Sequence, residues 1–396
     1  MGDGAELRWA RPRRPAKARP AAQGLSPGGA SGSLAAGLLA ALLLGAGAGP
    51  ASAAPLDGLL IATPETSAPL ARLELGIDRL NRAINFSTSA DPVEQSAQTT
   101  SGDYQGANLQ AAWRAGERLW LSGGLWQRRI SNAADTFNYR SWQAAGQYRF
   151  NDAAGALPAL AMRLSAWGSG ASETAATTPV HVPGAILNTV TVAAPRDRQL
   201  QADLLATWPL SSQFELSTLL SVGASKLSYR ELTATTTRNG CNYKLIFTGN
   251  DIFGELASPC TGTGVGVIRQ FFDSSGDYGV DVAKEIAWRS RFVQAGINAR
   301  WRSGAWTVLG GYLLHSVKRE DVDDILARRG DPVHRHNHQI TLDAAYQASA
   351  HWSPFVRAQI SSNLFLNDIP VTYNSSTSGS FGSRFSLFTV GVRAAF

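Results

Sequence analysis

The chain has 396 residues, a formal net charge of +6, an apolar content of 44%, 39 glycines, 11 tryptophans and two cysteines. Residues 1–53 hold Arg8, Arg11, Arg13, Arg14, Lys17 and Arg19 against Asp3 and Glu6, so four of the six net charges lie there and the remainder carries only +2. That balance gives no electrostatic basis for binding nucleic acid. Beyond the N-terminal region no apolar run approaches the ~20 residues of a helical membrane span.

Residues 1–53 read as an export signal. The basic segment precedes a 16-residue apolar run, Leu34 to Gly49, and Ala51-Ser52-Ala53 forms a small-x-small cleavage site. The run is short for a membrane anchor and ends at a processing signal, so cleavage before Ala54 is expected. Residues 54–69 form a short segment ahead of the first strand, and residues 70–396 read as one domain.

From Leu70 onward, apolar residues recur at every second position, the period of a strand with one apolar face. Leu73, Leu75 and Ile77 oppose Arg72, Glu74 and Asp78 in a first strand near 70–80. A second strand, near 106–114, sets Leu109 and Trp113 against Asn108, Gln110 and Arg114, and a third covers about 118–130. The fourth, from Tyr139, places Trp142, Tyr148 and Phe150 opposite Gln143, Gln147 and Arg149. The fifth sets Leu160, Met162 and Leu164 against Arg163 and Ser165; the sixth sets Leu200, Leu204 and Trp208 against Gln201, Asp203 and Thr207.

A seventh strand begins at Phe214, with Leu216, Leu220 and Val222 opposite Glu215 and Ser217. An eighth ends near Trp301, with Val293 and Ile297 opposite Gln294, Asn298 and Arg300. The ninth, 306–317, shows no clear facing. A tenth opposes Ile340 and Leu342 to Thr341 and Asp343; an eleventh opposes Val356 and Ile360 to Arg357 and Gln359. The last opposes Phe388, Val390, Val392, Ala394 and Phe396 to Thr389, Gly391 and Arg393.

Each segment is about ten residues long, the length of a tilted membrane strand. Short turns follow the even strands. Longer connections follow the odd ones, near 81–105, 131–138, 171–196, 230–285, 319–336 and 366–383. The expectation is an all-β, antiparallel, up-and-down transmembrane barrel of about 12 strands; the 230–285 stretch leaves ten or fourteen open by hiding a hairpin.

The final strand resembles the C-terminal assembly signal of Gram-negative outer-membrane β-barrels. Thr389, Gly391, Ala394 and Phe396 fill its polar, glycine, apolar and terminal aromatic positions. With the export signal and the alternating connections, the chain resembles the porin-like members of that class by architecture, without a family-specific motif. The resemblance implies the bacterial outer membrane, both termini in the periplasm, and contact with outer-membrane lipid and lipopolysaccharide. It also implies insertion by the barrel assembly machinery after handling by periplasmic chaperones, and passive function without a cofactor. About fifteen residues before the first strand leave no room for the plug of energy-coupled transporters.

Arg72, Arg114, Arg149, Arg163, Arg300, Arg357 and Arg393, with Glu74, Asp78, Asp203, Glu215 and Asp343, share the polar face and are expected to line the lumen. A basic surplus there favours a channel for small polar solutes with mild anion preference. A closed barrel acting through its surface loops is the alternative, and a lipid hydrolase is a third reading. That third reading lacks a His-x-Ser arrangement; His315 and His351 stand alone, explained as interface histidines and aromatic edges. Cys241 and Cys260, in an exported chain, read as a disulfide. His334, His336 and His338, at i, i+2 and i+4, are weak metal-ligand candidates that share the outward parity of Ile340. Gly262, Gly264 and Gly266 lack the strand and helix of a phosphate-binding turn, and the 374–380 run reads as a flexible outer loop.

Overall fold

The computed structural model describes residues 70–80, 103–131, 135–177, 179–182, 185–261, 268–363, 373, 378–382 and 384–396. The export signal, the 54–69 segment and the Gly262–Gly266 run lie outside them.

In chain order the strands are β1 (Ala71–Leu80), β2 (Asp103–Arg114), β3 (Leu119–Ser131), β4 (Thr136–Arg149), β5 (Ala159–Gly170), β6 (Glu173–Ala176), β7 (Val180–Val182) and β8 (Ala185–Ala193). They continue as β9 (Arg196–Pro209), β10 (Phe214–Ser228), β11 (Glu231–Arg238), β12 (Cys241–Thr248), β13 (Asp251–Ser258) and β14 (Gln270–Ser274). A short helix α1 (Val282–Glu285) precedes β15 (Arg289–Ser303) and β16 (Trp306–Arg319), and helix α2 (Val322–Arg329) precedes β17 (His336–Tyr346), β18 (Trp352–Ser361) and β19 (Phe385–Ala395).

Twelve of these strands close a barrel in the order β1, β2, β3, β4, β5, β9, β10, β15, β16, β17, β18, β19. The seam pairs β1 with β19 in antiparallel register, Glu74 opposite Arg393 and Asp78 opposite Thr389. These are the twelve strands expected from the alternation. Five connections and both ends of the barrel lie at one rim, the turn end, and the other six connections lie at the opposite rim, the loop end. The expected alternation of short and long connections fails at β4, because the β3–β4 connection at the loop end, 132–135, is shorter than the β4–β5 connection at the turn end, 150–158.

The remaining strands correct the reading of 171–196 and 230–285 as plain connections. They add nothing to the barrel wall. They form a second sheet ordered β14, β13, β12, β11, β8, β6, with β7 paired to β8. Its hairpins are set locally. Asn239 and Gly240, at φ 52° and 73°, supply the two positive-φ positions of a type I′ turn between β11 and β12. Thr235, Thr236 and Thr237 are β-formers beside that turn.

The barrel strands bury their polar parity and expose their apolar parity. Leu75, Ile77, Leu125, Leu164, Leu200, Leu204, Leu220, Val222, Val356 and Val390 are all more than half exposed on the outside. An apolar belt continuous around a wall far exceeds the few hundred Å² that water-facing surfaces tolerate, so the belt faces hydrocarbon. At the turn end the same face becomes aromatic: Trp113, Tyr148, Phe150, Phe214, Trp301, Trp306, Tyr346, Trp352 and Phe396 are all exposed. Such girdles sit at headgroup level, where an amphipathic ring meets both phases. Among the described residues no helix is long and apolar enough to cross a membrane.

At the loop end the outer face turns basic. Arg198 pairs with Lys226 across β9 and β10, and Lys226 pairs with Arg289 across β10 and β15. Arg291 pairs with Lys318 across β15 and β16. All five side chains are exposed.

Candidate functional site

The inner wall carries the charged side chains. Asp78, Arg149, Arg163, Asp203, Arg300, Asp343 and Arg357 are at most 8% exposed on the inner parity of their strands. Arg72, Glu74, Arg114, Glu215 and Arg393 share that parity and are half-buried. Arg128 (2% exposed) and Asp197 (2%) join them; neither is among the lumen residues expected from the sequence.

Cross-strand register makes the charge pairs. Arg163 and Asp203 are direct partners across β5 and β9, with Nε 2.5 Å from Oδ2. Arg300 lies 3.4 Å from Glu215 across β15 and β10. Around the seam, Arg357 reaches Asp343 at 3.0 Å and Glu74 at 2.8 Å, while Arg393 reaches Glu74 at 2.7 Å and Asp343 at 2.6 Å. Two guanidinium groups and two carboxylates thus form a closed ring over four neighbouring strands. A charge buried away from water is costly unless paired, and alternation of sign around this ring supplies the pairing.

Between the charges runs a hydrogen-bonded polar wall. Asp78 accepts from Asn108 Nδ2 at 3.1 Å and from Thr389 Oγ1 at 2.7 Å. Thr207 and Ser217 hydroxyls meet at 2.9 Å, and Arg128 donates to Ser141 at 2.6 Å.

Large apolar side chains also occupy the inner parity, which simple polar-in alternation does not predict. Trp120, Trp126, Trp167, Phe292 and Phe355 are at most 6% exposed. Ala161, Leu205, Leu219 and Leu313 form an inner apolar cluster. β16 resolves the strand whose facing was unclear: Leu309, Leu313, His315, Val317 and Arg319 are buried. Both of its faces are apolar, so period two had no contrast to show. His315 is therefore not an interface residue. Its Nδ1 lies 2.8 Å from Gln294 Nε2 and its ring stacks on Phe292.

The loop end of the lumen carries a third inner layer. Tyr104, Ile130, Phe137, Tyr139, Leu227 and Leu387 from the barrel strands meet Trp288, Val322 and Leu326 of α2, Tyr373 and Phe381 in one buried cluster. Arg319 is its polar centre. Its guanidinium lies 3.9 Å from the Tyr373 ring centroid, 3.1 Å from Asp323 Oδ1 and 3.0 Å from the His334 carbonyl. Asp323 is wholly buried and also accepts from Arg335 at 3.2 Å. Ser378 is buried within a 3₁₀ turn, Ser378–Gly382, so this part of the 374–380 run is packed rather than a flexible outer loop; residues 374–377 lie outside the described residues.

The histidine triplet does not converge. His334 precedes β17 and is half-buried beside Gly382, where burial first and the Arg319 charge second push its pKa down. His336 is exposed, and His338 takes a 2.8 Å hydrogen bond with Tyr312 on the outer face. Among the described residues no group of three or more His, Cys, Asp or Glu is placed to hold a metal ion. Cys241 and Cys260 form a disulfide that pins the start of β12 to the chain beyond β13. At the terminus, Phe396 stacks on His351, whose Nδ1 lies 2.9 Å from the Ala395 carbonyl oxygen. Ala394, on the outward parity, is only 2% exposed and pairs with Leu73 and Trp352. A β-carbon at Gly391 would press on the Phe355 ring.

The geometry defines the class: a twelve-stranded antiparallel barrel with a lipid-facing exterior and a charged inner wall. No known family model matches the chain, and no curated protein matches it. Solved structures similar to it include the translocator domain of the autotransporter NalP from Neisseria meningitidis, at 11% identity and a TM-score of 0.46, covering 91% of this chain and 98% of that one. The CymD monoaromatic hydrocarbon channel is similar at 11% identity and a TM-score of 0.40, covering 88% and 95%. The NanC porin is similar at 6% identity and a TM-score of 0.41, covering 82% and 100%.

Proposed function

We propose that the protein is an outer-membrane channel through which small polar solutes diffuse along the barrel lumen, and that the apolar cluster around Arg319 is its loop-end gate. The observation that carries this reading is the reversal of polarity across the wall: Leu204 and Val356 face outward, while their neighbours Asp203 and Arg357 face inward. A barrel that served only as an anchor has no need of a wall rich in buried charge, which costs free energy to maintain. On the inner parity Arg72, Arg114, Arg128, Arg149, Arg163, Arg300, Arg357 and Arg393 stand against Glu74, Asp78, Asp197, Asp203, Glu215 and Asp343, a basic surplus by sign that favours anionic over cationic solutes.

Orientation follows from the two rims. The aromatic turn end suits the periplasmic headgroups, and the basic row at the loop end suits the phosphates of lipopolysaccharide in the outer leaflet. The strand ending in Phe396 is the segment that the barrel assembly machinery would engage after periplasmic chaperones deliver the chain. A second reading is supported by the buried mouth cluster and the second sheet: a closed barrel that acts at the cell surface. Planar-bilayer recording separates the two. Folded, heat-modifiable protein is expected to give discrete ohmic conductance steps. A folded preparation that stays electrically silent contradicts the channel and favours the closed barrel.

A further inference from the structure

The second sheet curls around a partly enclosed cavity of about 770 Å³, within the range of sites for drug-sized organic molecules. Its lining is mostly apolar, with Leu187, Val190, Leu245 and Phe271 of the sheet and Val282 of α1, and includes the polar side chains of Thr174 and Tyr229. Both carboxylates at its edge are paired, and Arg238, the one arginine in its lining, is exposed. Tyr278 donates to Asp273 at 2.5 Å, a bond that raises the tyrosine pKa, and Glu285, wholly buried, is held by Arg329 at 2.6 Å. One lining side chain differs. Ser275 is 2% exposed, and its Oγ is buried without a hydrogen-bond partner, the only lining side chain so placed among the described residues.

We propose that this cavity binds a small, uncharged, largely apolar molecule with a single hydroxyl or carbonyl group, which pairs with Ser275 Oγ. A charged ligand would lose its hydration against mostly apolar walls whose two carboxylates already have partners. An entirely apolar ligand would leave Ser275 unsatisfied, as it is now. The floor of the cavity is Phe137, Tyr139 and Leu227, which also belong to the mouth cluster, so the site lies directly over the loop end of the lumen. The proposal concerns binding alone and stands whether or not the lumen conducts.

The test is equilibrium dialysis of radiolabelled 1-naphthol and naphthalene against the full chain held in amphipol, with protein-free amphipol as background. Saturable, one-to-one uptake of 1-naphthol is expected. Val190→Phe, which pushes a ring into the cavity, is expected to weaken both probes by about tenfold or more. Ser275→Ala is expected to weaken 1-naphthol about fivefold, the value of one hydrogen bond, and to leave naphthalene unchanged. Uptake that never saturates overturns the proposal, as does a folded Val190→Phe protein that binds like the parent. Should Val190→Phe fail to give a heat-modifiable band, Ser275→Ala decides: unchanged 1-naphthol affinity overturns the proposal.

Discussion

The ring of Phe355 lies across Gly391: a β-carbon there would come within 2.6 Å of the ring and closer still to the Leu75 carbonyl oxygen. Arg393 rests 4.2 Å from the centroid of that ring and Arg357 5.1 Å from it. The glycine at the barrel seam is therefore a seat for an inward aromatic, and the aromatic is the platform for the charged ring above it. Position 391 connects the C-terminal strand to the lumen wall through a single side chain.

Gly391→Ala is expected to destabilise the barrel by about 1–3 kcal/mol, the usual cost of overpacking, and to lower the yield of heat-modifiable protein. Gly310→Ala is the control, because a β-carbon there meets nothing within 4 Å. Urea unfolding in detergent measures both. Equal stability for the two variants contradicts the seat.

For the proposed channel, selectivity is expected to follow the sign of the inner wall. Arg149→Ser with Arg163→Ser is expected to shift the reversal potential in a salt gradient away from anion preference. Asp203→Asn, which leaves Arg163 without its carboxylate, is expected to shift it the other way. Reversal potentials that do not move mean that permeant ions do not meet these side chains.

The disulfide belongs to the second sheet alone. Its residues are 19 apart in sequence, so removing it is expected to cost about 3 kcal/mol of local stability. Limited proteolysis of a Cys241→Ser, Cys260→Ser protein is expected to cut within 231–274 faster than the parent. The heat-modifiable shift of the barrel is expected to stay the same, and its loss would show that the sheet holds the barrel together.

Like charges directly opposite one another on neighbouring strands repel, and Arg198, Lys226 and Arg289 stand in such a row. Phosphate of lipopolysaccharide would relieve that repulsion. Thermal unfolding is expected to show stabilisation by added lipopolysaccharide that largely disappears when all three are replaced by Gln. Equal stabilisation of parent and variant places lipid contact elsewhere.

The twelve barrel strands were legible because lipid and lumen impose opposite chemistry on successive residues. Legibility failed where that contrast vanished. In β16 an inner row of Leu309, Leu313 and Val317 matches an apolar outer row. Elsewhere, Trp126, Phe292 and Phe355 look like outward residues by type and are inward by parity. The second sheet lacks that contrast: its strands, of 3 to 9 residues, are too short for a membrane crossing and carry no lipid-facing row. Asn239-Gly240, between Thr-rich β11 and the apolar β12, was a usable hairpin signal. The mouth cluster joins Tyr373, Phe381 and α2 to the strands through tertiary contacts that no local pattern encodes.

The proposed gate rests on Arg319, buried between Asp323 and the Tyr373 ring. Removing one partner of a buried ion pair typically costs about 3–5 kcal/mol, enough to loosen the cluster while the wall remains hydrogen-bonded. Single-channel recording of parent and Arg319→Ala protein, both verified as folded by heat modifiability, is the most direct measurement. The expected result is ohmic steps in both, with the open level occupied markedly longer in the variant. Two folded proteins that both leave the bilayer silent would contradict a conducting lumen.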